Sequence, residues 1–304
     1  MDSREIRGIE DAVDRSFSLL DGDEYAFLAH ARDVILSRRA LFFGIAEKIR
    51  RGMDSGEPER RIDPWASLSV TETPETFPRD SRHRATPLHE GASRLSVGIV
   101  HGSFDPFHLG HLLMGLAAVA DGTCDFVIFM PNADRASGGS SEKPGKSAFD
   151  WRARTAFEGG VDDFYPAARL SSFGSSGDAV MAYSRLMEAN RSAFESLDEL
   201  TIHSIIGSDI VFRPRFAEWT NDRYGRIREL LGPRARLRFR IVERSGFSDC
   251  ASRARAIDFP VTVVPEISCA SSSAIRLDPV SSVWLYPRAV PLLESYLLYG
   301  HARR

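Results

Sequence analysis

Two histidines three residues apart, His108 and His111, end the string Val97-Gly98-Ile99-Val100-His101-Gly102-Ser103-Phe104-Asp105-Pro106-Phe107-His108-Leu109-Gly110-His111. An apolar run leads into a glycine turn, and Asp105-Pro106 is a helix-start signal. With a helix starting at about His108, the two imidazoles share one face of its first turn. Backbone N–H groups at such an end lack partners and carry partial positive charge, which suits phosphate. Imidazoles there add donors and stabilise charge developing on phosphoryl oxygens. Gly102 lets the chain turn tightly and approach a ligand. Gly110 removes a side chain that would crowd one. A metal reading of the pair finds neither a third ligand nor the H-E-x-x-H spacing, so no metal ligand is assigned.

Further along lies Ser271-Ser272-Ser273-Ala274-Ile275-Arg276. Small hydroxyl residues suit a helix start, where they cap and donate to phosphate. Arg276, one turn in, offers a forked guanidinium. Alone, the string is also an ordinary serine-capped helix. Gly207-Ser208-Asp209 follows an apolar run, with Trp219 ten residues on. The chain holds 36 Arg and three Lys, namely Lys48, Lys143 and Lys146. Two of the three lysines flank Pro144-Gly145, and a compact ammonium is not equivalent to a guanidinium at a crowded phosphate.

Strands alternating with helices are expected to position these residues. Strands are predicted at Leu95–Val100, Phe126–Met130, Leu200–Ile206, Leu237–Val242 and Val261–Val264. Helices are predicted from about His108, at Ala179–Phe194 and at Val290–Tyr299. This alternation implies a Rossmann-like doubly wound parallel sheet with helices on both faces. Ligands on such sheets sit at the carboxyl ends of the strands.

An N-terminal helical extension precedes that domain. Ile6, Ile9, Val13, Phe17 and Leu20, and then Phe27 to Ile49, recur at helical spacing, so residues 1–52 read as a helical hairpin. Residues 53–94 are proline-punctuated and polar and read as an extended or partly disordered linker. The α/β domain spans 95–304. The hairpin's apolar stripe is expected to be buried over the acceptor pocket, against a second copy in a homo-oligomer, or against a partner.

Composition excludes several classes. The chain has 304 residues, 43% hydrophobic and 27% charged, with a net charge of −3. All of that net charge falls in the first 95 residues, which hold 15 basic and 18 acidic groups. No global basic field draws the chain to nucleic acid. No apolar run reaches the roughly 18 residues of a membrane span. Three cysteines without a C-x-x-C argue against a disulfide scaffold and fit a cytoplasmic setting.

The strand, G-S-F-D-P turn and H-x-G-H helix together resemble the signature of the nucleotidylyltransferase superfamily that carries the H-x-G-H motif. Ser271, Ser272, Ser273 and Arg276 are similar to its I-S-x-T-x-x-R motif, with Ser273 for the Thr and Ala270 for the leading Ile. Gly207-x-Asp209…Trp219, with the ending Leu285-Tyr286-Pro287 to Tyr299-Gly300, resembles nicotinate and nicotinamide mononucleotide adenylyltransferases. The resemblance runs from about Ser96 to His301.

That resemblance implies a catalytic group of His108, His111, Lys143 or Lys146, and Arg276. It implies nucleotide contacts from Gly102, Ser103, Phe104, Gly110, Gly207, Asp209, Ser271, Ser272 and Ser273. Asp209 would meet ribose hydroxyls, and Trp219 would neighbour a pyridine pocket. Asp105, Asn132, Arg152, Arg154 and Trp219 would bind the acceptor. Mg²⁺ would be bound mainly through the triphosphate. The partners are then a nucleoside triphosphate and a phosphate- or phosphonate-bearing small molecule, with ATP and the pyridine mononucleotide as the leading pair. One departure stands out: the family's P-x-x-x-P-H-K loop is here Pro131-Asn132-Ala133-Asp134-Arg135-Ala136, a Gly/Ser-rich insertion, then Lys143-Pro144-Gly145-Lys146. It motivates a second expectation, a CTP-dependent cytidylyltransferase acting on a small phosphonate or phosphate ester. A third, of another class, is a non-catalytic nucleotide-binding regulator.

Overall fold

The computed structural model describes residues 93–132, 147, 149–161, 168–171, 179–189, 194–195, 197–244, 246–247, 249–267, 271–277, 285–286 and 289. The expected hairpin, the linker through residue 92, Lys143, Lys146, Ala270 and the terminal helix at Val290–Tyr299 lie outside them. Among the described residues no helix is long and apolar enough to cross a membrane.

Among the described residues, six strands form one wholly parallel sheet. They are β1 (Arg94–Gly102), β2 (Phe126–Pro131), β3 (Ala168–Leu170), β4 (Glu199–Gly207), β5 (Ala235–Val242) and β6 (Val261–Val264), in the order β3-β2-β1-β4-β5-β6. This is the doubly wound arrangement expected from the alternation. The order reverses between β1 and β4, which pair from Arg94↔Glu199 to Val100↔Ile205. The loops after these two strands therefore diverge and leave a crevice.

Side-chain alternation decides what covers each face. Val97 and Ile99 of β1, Ile202 and Ile206 of β4, and Phe239 and Ile241 of β5 join one buried core. Tyr183 and Leu186 of helix α3 (Ala179–Ala189) and Tyr224 and Ile227 of helix α5 (Phe216–Leu231) belong to the same core. Helix α1 (Leu109–Ala120) packs on the opposite face, against β1 and β2. Helix α2 (Phe149–Ala156), also beside β2, runs into a wider turn at Phe157–Val161. Short helices α4 (Ser208–Val211), α6 (Cys250–Ala254) and α7 (Ser272–Leu277) follow β4, β5 and β6.

Several elements differ from expectation. β1 and β4 each extend beyond the apolar run, because ladder pairing continues through Arg94, Glu199 and Gly207. Helix α3 is described over Ala179–Ala189, and Phe194, its expected end, is again helical. β3 and α5 have no counterpart in the sequence reading. On β5, Arg236 and Arg238 are exposed, while Arg240 is buried and paired with Asp121 at 2.5 Å. Thr123 also accepts from Arg240, at 2.9 Å.

Candidate active site

The loop after β1 sets the geometry. Gly102 ends the strand, and a Cβ there would run into the ring of Phe104. Phe104 itself takes a left-handed φ of 50°, a conformation that costs a non-glycine residue about 1 kcal/mol or more. Burial holds it there: its ring lies 5.2 Å from Phe107, 4.9 Å from His111 and 6.2 Å from Phe129. The Asp105-Pro106 peptide is cis.

Four side chains brace this loop. Arg152 of α2, 1% exposed, donates through Nη1 to the Ser103 carbonyl at 2.8 Å and through Nε to the Ser147 carbonyl at 2.9 Å. The Asp105 carboxylate accepts from the Ser147 N–H at 3.0 Å and from its hydroxyl. Ser272 donates to the Pro106 carbonyl at 3.0 Å. Arg276 donates to the Asp105 carbonyl and, at 3.2 Å, to Ser273. The segments after β1 and β6 are thereby tied together across the sheet.

α1 starts one residue later than expected, with His108 as its N-cap in extended conformation. The His108 carbonyl accepts from the His111 N–H at 2.9 Å. N-cap and N3 side chains are neighbours, the spacing that a capping box uses. Here two imidazoles occupy it, stacked at 3.7 Å with a 24° tilt. His108 makes no side-chain cap bond. Both of its ring nitrogens, and Nδ1 of His111, are buried without a hydrogen-bond partner. Burial holds the His108 pKa well below its ordinary value, with His111 and Arg244 adding to the effect. Burial and then Arg244 push His111 down to about 3. Both rings are therefore neutral at pH 7.

A cleft of about 270 Å³ opens at the crevice between β1 and β4. Its walls bring together Gly102, Ser103, Phe104, Asp105, His108 and His111 from the first loop with Ser271, Ser272, Ser273 and Arg276 from α7. Gly207 and Asp209 join them from the end of β4. Asp209 pairs with Arg244 at 3.6 Å across the ends of β4 and β5. A Cβ on Gly207 would lie 2.5 Å from the Asp209 carboxylate and 3.0 Å from Arg244 Nε, so glycine is what permits this pair.

Five expected residues, Gly110, Asn132, Arg152, Arg154 and Trp219, are not on the cleft wall. Gly110 is buried in the first turn of α1. Asn132 donates its N–H to the Gly102 carbonyl at 2.8 Å, joining the ends of β2 and β1. Arg154 is exposed on α2. Trp219 faces outward from α5, 43% exposed, with the Arg223 guanidinium 4.0 Å over its ring. Arg152 and Asp105 are buried and engaged in bracing the loop.

The cleft also gathers residues that the sequence reading does not single out. His101, Arg213 and Arg244 line it. For Arg244 a signal exists: it lies two residues beyond an apolar strand, where parallel sheets place their ligands. Among the described residues no group of three His, Cys, Asp or Glu is placed to hold a metal ion.

Fold and cleft together define a doubly wound α/β protein with a cationic, hydroxyl-rich site at its switch point. The chain's fold is similar to that of Plasmodium falciparum nicotinic acid mononucleotide adenylyltransferase, solved complexed with APC and complexed with NaAD. In each case the TM-score is 0.46 and the identity 14%, over 67% of this chain and 97% of that one. No protein-family model and no curated protein matches the chain.

Proposed function

We propose that the cleft transfers a nucleoside monophosphate from a nucleoside triphosphate to a phosphate-bearing small molecule. ATP and nicotinate or nicotinamide mononucleotide are the leading pair. The carrying observation is convergence: two neutral imidazoles with unpartnered buried nitrogens face Ser272, Ser273 and Arg276 across one switch-point cleft. Buried polar groups are nearly always satisfied, so such nitrogens call for a ligand. The motif resemblance supplies the chemistry.

In this reading an ionised phosphate oxygen of the acceptor attacks the α-phosphorus. A new P–O bond forms, the bond to the bridging oxygen breaks, and its electron pair leaves with pyrophosphate. The acceptor is already deprotonated at pH 7, so no general base is needed. Positioning and charge stabilisation carry the rate. His108 and His111 donate to triphosphate oxygens. Ser272, Ser273 and Arg276 hold the departing phosphates, with Arg276 turning one donor from the Asp105 carbonyl toward them. Lys143 or Lys146 steadies the acceptor's phosphate. Mg²⁺ is expected on the triphosphate oxygens and supplies charge neutralisation there. The carboxylates on the cleft suit that arrangement, because Asp105 is engaged with Ser147 and Asp209 with Arg244.

The test is pyrophosphate release with Mg²⁺, each of four triphosphates and a panel of acceptors. Turnover of ATP with nicotinate mononucleotide is the expected result. CTP turnover with a phosphonate or phosphate ester, and none with mononucleotides, would favour the cytidylyl reading that the altered loop after β2 motivates. Triphosphate binding without turnover on any acceptor would refute transfer and favour a regulator.

A further inference from the structure

A third imidazole reaches the cleft from a different side. We propose that His101 is a specificity-determining residue whose Nε2 receives a hydroxyl group of a substrate sugar, not a phosphate. The proposal rests on the transfer reading of the same cleft.

Alternation along β1 puts His101 on the face of Val97 and Ile99, toward α3. Its ring centroid lies 5.6 Å from that of Tyr183 on α3. His108 and His111 instead belong to α1, and the His111 ring packs against Phe104 and Phe107. The two sets of imidazoles thus approach from opposite faces of the sheet. Nε2 of His101 is buried and has no hydrogen-bond partner. A pure packing role on this face is filled by apolar residues, as at Val97 and Ile99. A buried polar ring atom left unpaired on a residue that lines a cleft is a costly feature unless a ligand completes it.

Charge separates His101 from the phosphate residues. Burial alone pushes its pKa down to about 4. His101 is thus a neutral ring, unlike the arginines that line the same cleft. A phosphate is better met by Arg276, Arg244 and Arg213, which line the cleft. A hydroxyl both donates and accepts, so it pairs with Nε2 in either tautomer of a neutral imidazole. Two sources carry that group, the sugar of the triphosphate and the sugar of a mononucleotide acceptor.

The experiment uses the full chain with His101→Phe, which keeps the ring on Tyr183, and His101→Gln, which keeps a polar group at the ε position. Binding of ATP, its 2′-deoxy and 3′-deoxy analogues and nicotinate mononucleotide is measured by calorimetry, alongside KM and kcat. Expected is about a tenfold loss of affinity for one substrate in H101F, in KM more than in kcat, with most of it recovered in H101Q. Loss for ATP places the hydroxyl on the nucleotide, and the wild type then discriminates against one deoxy analogue while H101F does not. Loss for the mononucleotide places it on the acceptor. Wild-type affinities in H101F, or equal losses in both variants, would overturn the assignment even with turnover intact. Wild-type binding and an H101F defect without any pyrophosphate release would overturn the transfer reading alone.

Discussion

Arg152 separates two roles that the sequence leaves together, acceptor binding and bracing of the loop. The perturbation is Arg152→Ala. The side chain is 1% exposed and bridges the carbonyls of Ser147 and Ser103 at 2.9 and 2.8 Å. A hydrogen bond to a charged donor contributes about 1.5–3 kcal/mol, so losing both costs about 3–6 kcal/mol. In a domain of this size that lowers Tm by roughly 10 °C. Arg152→Lys recovers little, because one ammonium cannot reproduce a fork spanning two carbonyls. The Ser103 carbonyl sits one residue from Phe104, whose ring packs on His111, so turnover falls with stability. Thermal unfolding of both variants, set beside substrate affinity in the protein still folded at 20 °C, is the assay. A Tm within 2 °C of wild type, with a raised KM for the acceptor alone, would refute bracing and restore the acceptor-binding role.

Three other outcomes follow from the same geometry. His111→Ala removes a donor from the cleft, and turnover should fall at least 100-fold with circular dichroism unchanged; rates like wild type would sink the phosphate role. Gly102→Ala drives a methyl into the Phe104 ring, and overpacking of this kind costs about 1–3 kcal/mol, to be read as a lowered urea midpoint together with lost turnover. Burial depresses the pKa values of His101, to about 4, and His111, to about 3, and lowers His108 as well. Between those values and the unfolded value near 6.5 the unfolded chain binds more protons, so stability is fully present above about pH 6.5 and falls on acidification toward pH 4. The slope is at most about 1.4 kcal/mol per pH unit for each ring, and a urea midpoint flat from pH 7 to 5 would contradict it.

Legibility in the sequence tracks how local each determinant is. β1, β2 and β4 hold apolar runs and read directly, β2 being buried along its whole length; β5 reads from its alternation of Arg with apolar residues and β6 from a short β-branched run. β3 is only Ala168-Arg169-Leu170, and Arg169 sits buried over the Phe126 ring at 4.2 Å. Three residues with a central arginine carry no periodicity to read. α5 buries Phe216, Thr220, Tyr224 and Ile227, a stripe in which Thr and Tyr stand at apolar positions. Tyr224 tolerates burial because Ser204 of β4 pairs with its hydroxyl at 2.6 Å, a partner that sequence does not reveal. The same limit governs the site. His108, His111 and the serine string are legible because their spacing is set by single helices. Arg244 and His101 reach the cleft through the sheet order, which no local spacing encodes. Arg152 is the converse case, since its burial and its bonds to the Ser103 and Ser147 carbonyls are set by the fold and carry no local signal.

The chemistry of the cleft follows from combining neutral imidazoles with fixed cations. Buried permanent charges without partners are costly, and the cleft limits them: Arg244 is paired with Asp209, and Arg276 rests on the Asp105 carbonyl and Ser273. The imidazoles take the desolvated positions instead, because a neutral ring tolerates burial far better than an ammonium or guanidinium. In the transfer reading, an arriving triphosphate reverses the balance. Its negative charge favours the protonated rings, so His108 and His111 gain proton affinity when charge to be stabilised is present. Arg276 can exchange a carbonyl for a phosphate oxygen at small cost, and Ser272 and Ser273 stand at the same end. The site is thus inexpensive to hold open and strengthens in proportion to the negative charge it receives. Interactions of that kind favour a transition state in which charge builds on the phosphoryl oxygens over the bound ground state.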